Sequence, residues 1–228
     1  MKLSGIFGKG SGKVGSSVFA VSGGEQIVRE YNPKVSNPST DAQVEQRAKL
    51  KLLSQIAAAL ATVIAFAKKG LVSARNLFIS ANYPLTSFED NKAKILVEAI
   101  DLTGGKDYLP KPVQTALNGF ELDGAAAANI DAVMYVGVGV DENDQLYVAK
   151  SVLVTTPGAT RAFSATIEGL PDVCYLYAYG IKYANESDKI RYENYVAAAS
   201  GNDATLDVVK SMAMSGASFT QTTCLKVQ

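Results

Sequence analysis

Residues 132–154 read AVMYVGVGV, DENDQ, LYVAKSVLV: two apolar, β-branched runs on either side of a polar turn. Valine and tyrosine pack well on a pleated surface, and Asp and Asn tolerate the backbone angles of a tight reversal, so this pattern predicts a β-hairpin. A hairpin this apolar needs other strands to cover it. Several follow: residues 161–167 (RAFSATI) alternate, residues 174–183 (CYLYAYGIKY) form a long tyrosine-rich run, and residues 189–197 (KIRYENYVA) return after a turn at 185–188. Residues 94–99 (KILVEA) make an earlier candidate strand. Short strands separated by turn signals predict an antiparallel β-sandwich over residues 92–200.

The chain ahead of the sandwich has a different texture. Thr40-Asp41-Ala42-Gln43 has the spacing of a capping box, in which the threonine hydroxyl takes an orphan N–H and the glutamine reaches back. A long helix is predicted from there to Lys68-Lys69-Gly70. Along it Leu53, Ile56, Leu60, Val63, Ile64 and Ala67 recur at helical spacing. A second, short helix is expected over residues 71–81, ended by Asn82 and Pro84. The helical region is therefore placed at 39–84, and the polar, small-residue end at 201–228 is expected as a tail, with an element only over 206–212.

Residues 1–38 are rich in glycine and serine, with two β-prone pieces at 17–21 and 26–30 around Ser22-Gly23-Gly24, and Asn32-Pro33 and Asn37-Pro38 beyond. So little apolar surface cannot order a segment by itself. This stretch is expected as an extended arm that lies on its own domain or on a neighbour. The fold class predicted is α+β: an extended N-terminal arm, a long and a short helix, then an antiparallel sandwich.

Charge sharpens the reading. Basic and acidic residues balance at 22 each, but residues 1–80 hold 11 basic and 4 acidic side chains, and residues 81–228 hold 11 and 18. The split fits either a solvated helix face or an arm that docks on an acidic neighbour or on packaged nucleic acid. Candidate arm contacts are Lys9, Lys13, Phe19, Arg29 and Tyr31; candidate helix contacts are Arg47, Leu53, Ile56 and Leu60.

Side chains for chemistry are scarce. The chain has no histidine, which removes the commonest general base and metal ligand. Cys174 and Cys224 are read as small buried residues rather than as ligands or a disulfide framework. GKGSGKVGSS at 8–17 invites comparison with a phosphate-binding loop, but aligning on Gly12-Lys13 puts Phe7 where the first glycine belongs and Val14 where the hydroxyl belongs. Asp141, Glu142 and Asp144 lack the spacing of a calcium loop and read as a solvated turn. No catalytic residue, metal site or cofactor is expected. Tyr175, Tyr177, Tyr179 and Tyr183 fall on one face of one strand, either as sandwich core with hydroxyls at its rim or as an exposed aromatic face for a partner or glycan. The longest apolar run, 52–67, is shorter than the roughly 20 residues of a membrane span. With no secretory signal pattern at the start, a soluble protein assembled in a cytoplasm is expected.

Two resemblances add context. Gly169-Leu170-Pro171 followed by Tyr175, Tyr177 and Tyr179 is similar to the corner between strands E and F of immunoglobulin-like and fibronectin-type sandwiches. Gly12-Lys13-Val14-Gly15, Val28-Arg29, Asn37-Pro38 with Thr40, Gln43 and Arg47, and later Asn76, together resemble a family of uncharacterised proteins of Bacteroidota and their phages, in which G-K-V-G leads through V-R and N-P-x-T-x-x-Q-x-x-x-R into a helix. That family brings no established activity. The resemblance implies a setting: a non-enzymatic component of a phage virion, capsid-associated, connector or tail, assembled in the bacterial host cytoplasm as a homo-oligomer with other virion proteins. A surface adhesin that binds a glycan or host protein through its sandwich is the alternative.

Overall fold

The structure is a computed structural model that describes residues 11–22, 24–32, 39–67, 70–123, 130–155, 162–171, 174–198 and 206–227. It divides into two compact units, Met1–Gln43 and Val44–Gln228. In the first, β1 (Gly12–Val14), β2 (Ser17–Ser22) and β3 (Glu25–Glu30) form an antiparallel meander, and α1 (Asp41–Ala59) begins.

The second unit takes up the rest of α1, then α2 (Ala74–Asn82) and a small hairpin of β4 (Thr86–Glu89) and β5 (Lys92–Ile95). Next come β6 (Val113–Ala116), β7 (Gly119–Asp123), β8 (Ala132–Val140), β9 (Leu146–Val154), β10 (Ala162–Thr166) and β11 (Cys174–Lys182). The chain closes with α3 (Glu186–Ala198), α4 (Leu206–Met214), β12 (Ser218–Phe219) and β13 (Thr223–Val227). The protein is thus mixed α+β with several antiparallel sheets. One sheet has the order β10-β7-β6; the larger runs β9-β8-β11, with β12 and β13 both pairing β11.

The larger sheet is covered on both faces, which explains why β8 reads as a continuous apolar run rather than an alternating one. On one face Val133, Tyr135, Val152, Cys174 and Leu176 pack with Phe120, Leu122 and Phe163 of the smaller sheet. The Tyr135 hydroxyl crosses that layer and donates to the Phe163 carbonyl at 2.6 Å. On the other face Met134, Val136, Tyr177, Tyr179 and Ile181 meet Ile56, Leu60, Val63 and Ile64, Phe78 of α2, and Val209 and Met212 of α4. The result is three layers: sheet, sheet and helical cover.

Four expectations are corrected. The first helix stops at Ala59 instead of running to Lys68. The apolar residues after it are still buried, but their backbone is drawn into the core: Ala65 N–H donates to the Leu102 carbonyl at 2.9 Å and the Val63 carbonyl accepts from Tyr179. Residues 189–197 are helix, not strand. Asn185 caps it, its side-chain oxygen accepting from the Asp188 N–H at 2.9 Å, with Glu186 and Asp188 in the first turn and Tyr192 buried below. The end at 201–228 is not a tail, because β13 pairs Cys174–Ala178 of β11 and buries Cys224 and Val227. Residues 94–99 give only the end of β5 followed by a short 3₁₀ turn.

Asn82 and Asp101 organise one set of polar contacts inside this unit, while the hydroxyls of Thr62 and Tyr183 are buried without a hydrogen-bond partner. Asn82 is fully buried; its amide donates to the carbonyls of Phe78 and Asp101 at 2.9 Å each, and its oxygen accepts from Asp101 N–H at 2.7 Å. The Asp101 carboxylate accepts from the N–H groups of Thr103 and Gly104 and from the Thr222 hydroxyl, which ties the 101–104 turn to the approach of β13.

Candidate functional site

The chain reverses twice between paired strands, at Gly15-Ser16 and between the paired residues Ser22 and Glu25. Gly15 at φ +58° and Gly24 at φ +83° take the left-handed angles that such hairpins require. Register then sorts the side chains, because directly paired residues share a face. Phe19 pairs with Val28 and with Gly12, Val21 with Gln26, and Ser17 with Val14 and Glu30. That face is Val14, Phe19, Val21 and Val28, apolar except at its corners.

The opposite face collects the cations. Lys13 pairs with Val18, Val18 with Arg29, and Ala20 with Ile27. The Lys13 ammonium stands 3.5 Å from the centre of the Tyr31 ring, a cation–π contact. Tyr31 N–H donates to the Ser16 carbonyl at 2.7 Å, which closes the sheet beyond β3. Of the five residues expected as arm contacts, the sheet brings Lys13, Arg29 and Tyr31 to one face and puts Phe19 on the other; Lys9 lies outside the described residues.

Neither face has a core. Among the described residues, the first buried side chain is Leu53, two-thirds of the way along α1, and every residue from 11 to 52 whose burial is described is exposed or half-exposed. Val14 is 69% exposed, Val21 45% and Ile27 43%. The first turns of α1 continue the pattern, with Val44 and Leu50 exposed and Lys49 paired to Glu45 one turn earlier at 2.6 Å. Of the expected helix contacts, Leu53, Ile56 and Leu60 are buried in the second unit and Arg47 is exposed.

GKVGS is therefore strand and hairpin turn. A phosphate loop needs consecutive amides curled toward one point and a helix behind them; here the amides of Gly12–Val14 belong to a strand paired with Ser17–Phe19. The acidic turn is likewise built into its hairpin: one oxygen of Asp141 accepts from Asn143 N–H at 2.8 Å and from Gln145 N–H at 2.7 Å.

The tyrosine ladder is core. Tyr177 and Tyr179 are fully buried, Tyr183 nearly so and Tyr175 half-buried, all on the side of β11 under the helical cover. Tyr177 donates to the Val97 carbonyl at 2.6 Å and Tyr179 to Val63 at 3.0 Å, while the Tyr183 ring stacks on Tyr192. Burial holds the phenols of Tyr135, Tyr177, Tyr179 and Tyr183 well above the usual tyrosine range. The Cys224 thiol is pushed up to about 12, first by burial and then by Glu98 nearby, and burial raises Cys174 as well. Such groups are protonated and inert near neutral pH.

Comparison with protein-family models, with curated proteins and with solved structures finds no match. Among the described residues, no helix is long and apolar enough to cross a membrane, and no cluster of three or more His, Cys, Asp or Glu side chains is placed to hold a metal ion.

Proposed function

We propose that this chain is a non-enzymatic assembly protein: its N-terminal sheet and the exposed start of α1 join copies together, and its three-layer unit is the body they join. A virion component of a phage of Bacteroidota is the setting that the N-terminal pattern suggests, with the homo-oligomer built in the host cytoplasm.

The absence, among the described residues, of any buried side chain ahead of Leu53 carries this reading. A three-stranded sheet that leaves Val14, Val21 and Ile27 exposed gains little from burial until another surface covers it. Regular structure over residues 12–30 with no core of its own is what a docking element looks like before its surface is occupied. The body, by contrast, spends its aromatic and thiol groups on internal packing.

The order of strands supports an immunoglobulin-like body. Taking β6, β7, β8, β9, β10, β11 and β13 as strands A, B, C, C′, E, F and G gives one sheet of A, B and E and another of C′, C, F and G. Gly169-Leu170-Pro171 then falls at the corner between E and F. The helical cover on the second sheet and the hydroxyl of Tyr177, which donates to the carbonyl of Val97 far upstream, are departures from that pattern. The adhesin reading has less support, since Tyr177, Tyr179 and Tyr183 are buried and Tyr175 is half-buried.

Light scattering on the full chain and on one beginning at residue 39 tests the proposal. Oligomers of the full chain that fall to monomers on truncation are expected; a mass per particle unchanged by the truncation would remove the assembly role from residues 1–38.

A further inference from the structure

Asn118 is the one asparagine of the chain that is followed by glycine. With no side chain on the next residue to obstruct it, the Gly119 backbone nitrogen can close on the Asn118 side chain, and closure within one chain makes a slow amide reaction unimolecular. Other asparagines are held away from such a step: the carboxamides of Asn82 and Asn185 each donate one hydrogen bond or more and accept another. The Asn118 carboxamide makes none among the described residues.

Its surroundings are open. Leu117 and Asn118 form the two-residue loop between the paired residues Ala116 and Gly119, with Leu117 84% exposed and Asn118 and Gly119 half-exposed. Such a loop matches the twist of its strands when both residues have positive φ, as Asp90 and Asn91 do between β4 and β5. Leu117 and Asn118 do not. The register of β6 also shifts between Gln114 and Ala116, and all four of its residues are exposed, so this end of the sheet opens at little cost. One restraint remains: the Asn118 carbonyl accepts from the Ile167 N–H at 2.8 Å while Gly119 pairs with Thr166, and folding therefore slows the closure.

The geometry points to Asn118 as a site of spontaneous covalent modification, in which the loop carboxamide becomes a carboxylate. The Gly119 nitrogen gives up its proton to hydroxide and bonds to Cγ of Asn118; the Cγ–Nδ2 bond breaks, and the amide leaves as ammonia with a proton from water. Water then opens the resulting five-membered imide at either carbonyl. One opening gives aspartate; the other gives isoaspartate, whose main chain runs through the former side chain and is one carbon longer. Water is the only co-reactant, and nothing is oxidised or reduced. In isoaspartate the carbonyl that accepts from Ile167 has left the main chain, which loosens β7 from β10 at that end.

The test holds the full chain at mildly alkaline pH, native and in denaturant, and follows the peptide that carries Asn118 by mass and by enzymatic methylation of isoaspartate. A gain of one mass unit with isoaspartate among the products is expected, at a native rate within about a hundredfold of the denatured one because the hairpin end opens locally. Asn118→Gln should lose the signal, since its longer side chain closes a six-membered ring far less readily. Asn118 that stays intact in the native chain beyond that interval, while the denatured chain has converted, would overturn the inference. So would the same mass gain persisting in Asn118→Gln.

Discussion

The phenol of Tyr179 donates a 3.0 Å hydrogen bond to the carbonyl of Val63, joining the middle strand of the larger sheet to the chain that leaves the first helix. Both residues are buried. The bond satisfies a carbonyl that has left the regular helix, so the apolar segment can enter the core as irregular backbone. Tyr179→Phe keeps the ring and strands that carbonyl. A loss of about 1–3 kcal/mol is expected, seen as a lower denaturant midpoint with an unchanged slope; an unchanged midpoint would mean that the bond contributes nothing net.

Asn82 gives a second test of the same junction. Asn82→Ala removes the partners of the Asp101 N–H and carbonyl together. A destabilisation of about 2–4 kcal/mol is expected by equilibrium unfolding. Asn82→Asp keeps one acceptor but sets a buried carboxylate oxygen against the Phe78 and Asp101 carbonyls, so it should cost at least as much as the alanine variant.

Gly105 sits where backbone meets backbone. A Cβ there would stand 2.3 Å from the carbonyl oxygens of both Phe219 and Thr220, and neither can swing aside as a side-chain end could. Gly105→Ala should cost about 1–3 kcal/mol by overpacking. By contrast, the Cβ contact of Gly137 is with the end of the Leu170 side chain. Gly137→Ala should cost less in the same unfolding assay, since Leu170 can change rotamer.

The buried phenols and thiols set the alkaline limit. Folding raises the pKa of Tyr177, Tyr179 and Cys224, so above the unfolded values the unfolded chain has released protons that the folded one still holds. The contribution is fully present below about pH 8.5, where unfolded thiols begin to ionise, and declines further above about pH 10 with the phenols. Midpoints measured from neutral to strongly alkaline pH should fall over that range. Both cysteines should resist alkylation at about pH 8 in the folded chain and react in denaturant; rapid native labelling of Cys224 would contradict its burial.

Legibility in the sequence followed the range of the forces involved. The hairpin of β8 and β9 was legible to the residue, because its turn chemistry and apolar runs are local. Residues 189–197 misled because Tyr192 and Tyr195 suit either period, and Asn185 reads equally as a turn or as a helix cap. The early end of α1 was not legible, since the groups that accept its continuation, Leu102 and Tyr179, lie far along the chain. Neither were β6 and β7, short strands whose role depends on β10. At the candidate site, both of its glycine turns are written in the sequence, but the sorting of Phe19 from Lys13 and Arg29 needed the register.

Amide hydrogen exchange of the intact chain across a range of concentrations tests the central claim most directly, because the described side chains of β2 and β3 are exposed or half-exposed. Protection of residues 17–30 should rise with concentration in step with oligomer mass, while protection of β8 and β11 stays constant. Equal protection of residues 17–30 at every concentration would contradict the account.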